Sequence, residues 1–124
     1  MTVDEAIRAV DGLKPNMYTV EQKVAWLNAL DGRLFREVIL THEHEAGATF
    51  TPYEWTGDLQ DALIAPAPYD EVYRWWLESQ IDLSNGEATK YNASSMMYNA
   101  ALDSYTAWYN RTHMPLRKTL AIRI

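Results

Sequence analysis

The chain has 124 residues, a length suited to one domain that buries roughly two thirds of its unfolded surface. The absence of cysteine excludes a disulfide framework and a thiolate metal site, and a core of this size needs no cofactor to hold it. The net charge of −6 is unevenly spread: residues 1–103 carry all seventeen acids against seven Lys and Arg, whereas residues 104–124 carry only Arg111, Arg117, Lys118 and Arg123.

No run of residues approaches a membrane span, and Met1-Thr2-Val3-Asp4-Glu5 lacks the basic start of a signal peptide. The expected setting is a cytoplasm, with no membrane partner.

Thr2 and Glu5 form a capping box, and Val3, Ala6, Ile7, Val10 and Leu13 follow as a helical stripe that Gly12 and Pro15 end. Thr19 and Gln22 repeat the box ahead of a second helix expected from Val20 to His42. Its buried stripe is Val20, Val24, Leu27, Leu30, Leu34 and Val38, widened by Trp26, Phe35 and Ile39. Gly32 lies inside this helix at a cost of about 1 kcal/mol relative to alanine. Residues 43–65 break the pattern with Gly47, Pro52 and Gly57 and read as a long loop, of which Glu45 to Trp55 is expected to be mobile in an isolated subunit and ordered on assembly.

The organising stretch is 63–110, which holds nine of the fifteen aromatic residues. A third helix is predicted from Pro68, with Tyr69, Val72, Tyr73, Trp76 and Leu77 in its stripe and Arg74, Glu78 and Asp82 on another face. Ser84-Asn85-Gly86 breaks it. A fourth helix is predicted from Glu87 to Asn110, with Tyr91, Tyr98, Leu102, Tyr105 and Tyr109 on one face and Asn92, Ser95, Asn99, Asp103, Thr106 and Asn110 on the other. Asp103 is the only charge between Tyr91 and Asn110. A solvated helix face normally carries Glu, Lys and Arg, so this one belongs either inside its own bundle or at a subunit interface.

The expected fold is all-α: a small bundle of about four helices, one long irregular loop and a C-terminal extended arm, divided as a helical domain over 1–115 and an arm over 116–124. Leu116, Leu120, Ile122 and Ile124 alternate as in a strand, although no partner strand is apparent.

His42-Glu43-His44-Glu45 places its histidines two apart, not the four that share a helix face in a zinc motif, and reads as a solvated helix end. His113 suits a C-terminal cap. Ser94-Ser95 lacks a nucleophile context, the glycines are isolated, and no acid pair can be assigned to one cleft, so neither catalytic nor metal residues are assigned and no cofactor is expected.

Pro66-Ala67-Pro68-Tyr69-Asp70-Glu71-Val72-Tyr73, Asn85-Gly86-Glu87, Lys90-Tyr91-Asn92 and Tyr109-Asn110-Arg111-Thr112-His113-Met114-Pro115 resemble small proteins encoded among the head genes of tailed bacteriophages, the head-to-tail adaptors (connectors). Leu13-Lys14-Pro15-Asn16, Trp26-Leu27 and Leu30-Asp31 extend the resemblance toward the N-terminus. It implies a helical subunit of a ring, commonly twelve-membered, beneath the portal of the virion. Implied partners are further copies of itself, the portal protein and other head-tail joining proteins, with DNA passing through the ring. It implies no catalytic residues. The residues expected to make assembly contacts are Asn92 and Asn99 on the fourth helix, together with Arg111, Arg117, Lys118, Leu120, Ile122, Arg123 and Ile124 of the arm. A rival reading is a small acidic helical regulator that binds nucleic acid through its basic arm, with affinity falling steeply as salt rises.

Overall fold

The computed structural model describes residues 1–116, and among these the fold is all-α, with four helices and no strand. Helix α1 is Val3–Leu13, α2 is Val20–Leu34, α3 is Glu71–Ser84 and α4 is Ala88–Thr112. A π-helical turn, Phe35–Ile39, extends α2. No described helix is long and apolar enough to cross a membrane.

The first helix starts as its sequence dictates: Thr2 Oγ1 accepts from the Glu5 amide while Glu5 Oε1 accepts from the Thr2 amide. Val3, Ala6, Ile7 and Val10 are buried, but Leu13, at the last turn, is exposed. Thr19 caps α2 by accepting from the Gln22 amide, and Val24, Leu27, Leu30, Leu34 and Val38 lie in the core. Gly32 sits under the Phe50 ring, which a Cβ there would meet at ordinary contact distance, 3.7 Å. Helix α3 begins at Glu71, three residues later than the proline pattern suggests. The chain first makes a turn in which the Tyr69 amide donates to the Pro66 carbonyl.

Helices α3 and α4 form an antiparallel pair joined at Asn85–Glu87, where Gly86 takes φ +72°, a conformation that disfavours any side chain. Val72, Tyr73, Leu77 and Ile81 meet α1 and α2 on one side of α3. The polar face of α3 is covered rather than solvated. Asp82 is 1% exposed and receives hydrogen bonds from Lys14 Nζ and Ser94 Oγ, while Glu78 is buried beside Arg74.

The segment between Ile39 and Glu71 is irregular, as expected, yet it is tied down from within the chain. The amides of Val3 and Asp4, which have no partner inside α1, donate to the carbonyls of Asp61 and Leu59. Asn28 holds the backbone of Tyr53 twice, as donor to its carbonyl (3.0 Å) and acceptor from its amide (2.7 Å). Phe50 packs between Phe35 and Tyr53.

Candidate assembly surface

Helix α4 is held on one side only. Ser94, Tyr98, Tyr105 and Tyr109 are its buried residues, and Trp108 stacks on Tyr69. Asn92, Ala93, Met96, Asn99, Ala100, Asp103 and Ala107 are exposed, with Met96 at 71%. The sequence left two homes for this charge-poor face, the interior of its own bundle or a subunit interface. Asn92, Asn99 and Asp103 of that face are exposed, whereas Ser95 and Thr106 are half-buried and Asn110 bonds to His42, so α4 is not a central helix among residues 1–116. Of the residues expected at assembly contacts, Asn92 and Asn99 stand two turns apart on this outer face, and Arg111 is exposed in the last turn of α4. Arg117, Lys118, Leu120, Ile122, Arg123 and Ile124 lie outside the described residues.

Just beyond α4 the chain finds the partner that the sequence did not reveal. The Glu43 amide donates to the Met114 carbonyl and the Leu116 amide to the Thr41 carbonyl, around an antiparallel bridge between His42 and Pro115. His42 is not a solvated helix end. It is 5% exposed, with Nδ1 2.6 Å from the Val38 carbonyl and Nε2 2.6 Å from Asn110 Oδ1. With Nδ1 donating to the Val38 carbonyl, a half-turn of the Asn110 amide lets its nitrogen donate to Nε2. The ring meets Tyr109 edge-on, and His113 stacks on the other side of that cluster, 3.8 Å from Tyr109 with planes 3° apart. His113 caps α4 through its backbone, its amide donating to the Tyr109 carbonyl.

The strongest polar cluster went unread in the sequence. Asp31 has no exposed surface and receives Tyr53 Oη and Tyr73 Oη at 2.6 Å each and the Ile64 amide at 3.1 Å. Burial pushes its carboxyl above the usual carboxylate range; the two hydroxyls and the amide pull the other way without cancelling it. Burial together with the Asp31 charge drives both tyrosine hydroxyls upward, so they remain donors. A signal was available: Asp31 occupies the position where the spacing 24, 27, 31, 34, 38 calls for an apolar side chain. With no surface through which a substrate could arrive, the cluster fixes the irregular segment to α2.

Among the described residues no three His, Asp or Glu side chains converge in a way that could hold a metal ion. The described residues carry seventeen acids against eight Lys and Arg, and of the basic arm only Arg111 lies among them. No protein-family model, curated protein or solved structure matches the chain.

Proposed function

We propose that this chain is a structural subunit of a tailed-phage virion, a head-to-tail adaptor that forms a homo-oligomeric ring beneath the portal and has no catalytic role. The observation that carries the reading is the outer face of α4: roughly 30 Å of well-formed helix on which Asp103 is the only charge between Tyr91 and Asn110, with Met96 and three alanines at seven-residue spacing, Ala93, Ala100 and Ala107, all exposed. Small residues permit close approach of another helix, and methionine adapts to irregular contacts. A ring needs two different complementary surfaces on each copy, and an acidic body with a basic, partly apolar C-terminal sequence is such a pair, to which the charge-poor α4 face adds contact area. The phage assignment itself rests on the resemblance in the 66–73 and 109–115 motifs.

The test is light scattering and electron microscopy of the purified full chain, alone and mixed with rings of the portal protein from the same genome. Rings, or stoichiometric binding to portal rings, are expected. A chain that stays monomeric at all concentrations and ignores the portal would overturn the reading. Binding to duplex DNA with a steep salt dependence would favour the regulator instead.

A further inference from the structure

Between the C-terminal half of α2 and α4 lies a cleft of about 160 Å³, floored by Leu34, Val38, Tyr98 and Leu102 and bordered by the exposed Arg33–Glu37 ion pair. Tyr98 is 6% exposed, and its hydroxyl is buried without a hydrogen-bond partner among the described residues. Native proteins rarely leave such a donor unused. The slot is also large enough for a branched aliphatic side chain, since an apolar cavity of roughly 150 Å³ accepts a benzene-sized group.

The course of the chain leads to this cleft. Because Met114–Leu116 runs antiparallel to Thr41–Glu43, the chain at Leu116 is heading past Thr41 toward the π-helical turn. Thr41 Oγ1 bonds to the carbonyls of Glu37 and Val38, so the wall of the cleft is one helical turn from Leu116. The next residues are Arg117-Lys118-Thr119-Leu120-Ala121-Ile122-Arg123-Ile124, basic and aliphatic by turns. Eight extended residues span about 26 Å.

We propose that in the free subunit this cleft binds the chain's own segment 117–124, with Leu120 or Ile122 in the apolar slot and a backbone carbonyl of the segment accepting the Tyr98 hydroxyl. Tethering decides for the same chain over a second copy, because a segment joined one turn away meets the site at an effective concentration in the millimolar range. Glu37 at the rim is already paired with Arg33, so the aliphatic side chains and the unpaired Tyr98 hydroxyl, not charge, carry the fit. The arm would thus be stored on its own subunit before it contacts any partner.

The chain has no native cysteine, so paired substitutions report proximity cleanly. Leu120→Cys or Ile122→Cys is combined with Glu37→Cys in the full chain and treated with a short bismaleimide. Met17→Cys, 98% exposed in the α1–α2 connection, replaces Glu37→Cys as the distant control. At least one Glu37 pair should cross-link within a single chain about tenfold faster than its control. Equal rates would overturn the proposal, and so would cross-links joining two chains, which would assign the cleft to a neighbouring copy. In addition, Tyr98→Phe should raise the unfolding constant of the full chain about two- to tenfold, and leave it unchanged when Leu120→Asp and Ile122→Asp are also present. An equal effect in both backgrounds would likewise overturn it. Neither measurement requires a ring, so this proposal and the adaptor reading fail separately.

Discussion

Tyr73 Oη donates to Asp31 Oδ1 at 2.6 Å, across 42 residues of sequence, and accepts at the same time from the Ala65 amide at 2.7 Å. One hydroxyl thereby joins α2, α3 and the end of the irregular segment. Removing the carboxylate leaves several buried donors unmade at once. Asp31→Ala is expected to lower unfolding stability by about 3 kcal/mol, measured by urea titration, whereas Asp31→Asn, which keeps one acceptor, should cost less. Equal losses in the two variants would assign the cost to packing alone.

The same carboxyl makes stability depend on pH in a defined sense. A folded-state value above the unfolded one means that the folded chain holds this proton more tightly. The contribution of Asp31 is therefore fully present below the ordinary aspartate value and is lost as pH rises through the raised one. Stability measured across that window should fall less in Asp31→Asn than in the parent chain. Parallel pH profiles would remove Asp31 as the source.

Trp76 is a half-buried ring with a specific polar handle, not a fully buried core residue. Its Nε1 donates to the Trp26 carbonyl at 2.7 Å and its ring lies against Tyr98. Trp76→Phe keeps most of the packing and loses the donor, with an expected cost of about 1 kcal/mol in the denaturant midpoint. Trp76→Ala should cost clearly more, at the lower end of the usual range for a large aromatic.

Lys14→Met should destabilise by about 2 kcal/mol, because it leaves Asp82, 1% exposed, with Ser94 as its remaining side-chain donor; the figure is reduced because Lys14 itself is 23% exposed. A melting temperature unchanged from the parent chain would show that the pair contributes nothing net.

On the outer face of α4, Asn99→Lys and Ala100→Glu change exposed positions and should leave unfolding within about 0.5 kcal/mol of the parent, while abolishing self-association or portal binding in light scattering. Loss of the fold would place the face inside the monomer after all. Variants that fold and still assemble would move the contact elsewhere.

Much of the architecture was legible because it is local. The Thr2 and Thr19 caps, the Gly86 break and the stripe through Val24, Leu27, Leu34 and Val38 follow from near-neighbour spacing, and the structure reproduces them. What escaped depends on distant partners. Asn28 looks like an ordinary helix-surface residue, and Asp31 like a lone polar side chain in an apolar stripe, until Tyr53, Ile64 and Tyr73 arrive from elsewhere. His42 looked solvated because Asn110 and Pro115, which cover it, lie near the other end of the chain. Spacing put the α3 acids on a face away from the apolar stripe without showing what covers it, because α4 and Lys14, which bury Asp82, come from either side in sequence. Of the expected assembly residues, spacing alone placed Asn92 and Asn99 on the face opposite the tyrosines, but only the packing of α4 distinguished an outer helix from a central one.

The π-helical turn at Phe35–Ile39 acts as a phase shifter. It carries one residue more than an α-helical turn would, and a single residue is worth about 100° of rotation around a helix axis. That extra step lets Val38 and His42 both face α4 and presents the edge at Thr41 to the returning chain at Leu116. Deleting one residue from this turn would restore regular helix at little local cost, yet swing His42 away from Asn110 and unpair Thr41 from Leu116. The docking of the end of α4 and of Met114–Leu116 thus rests on the winding of five residues in a different helix.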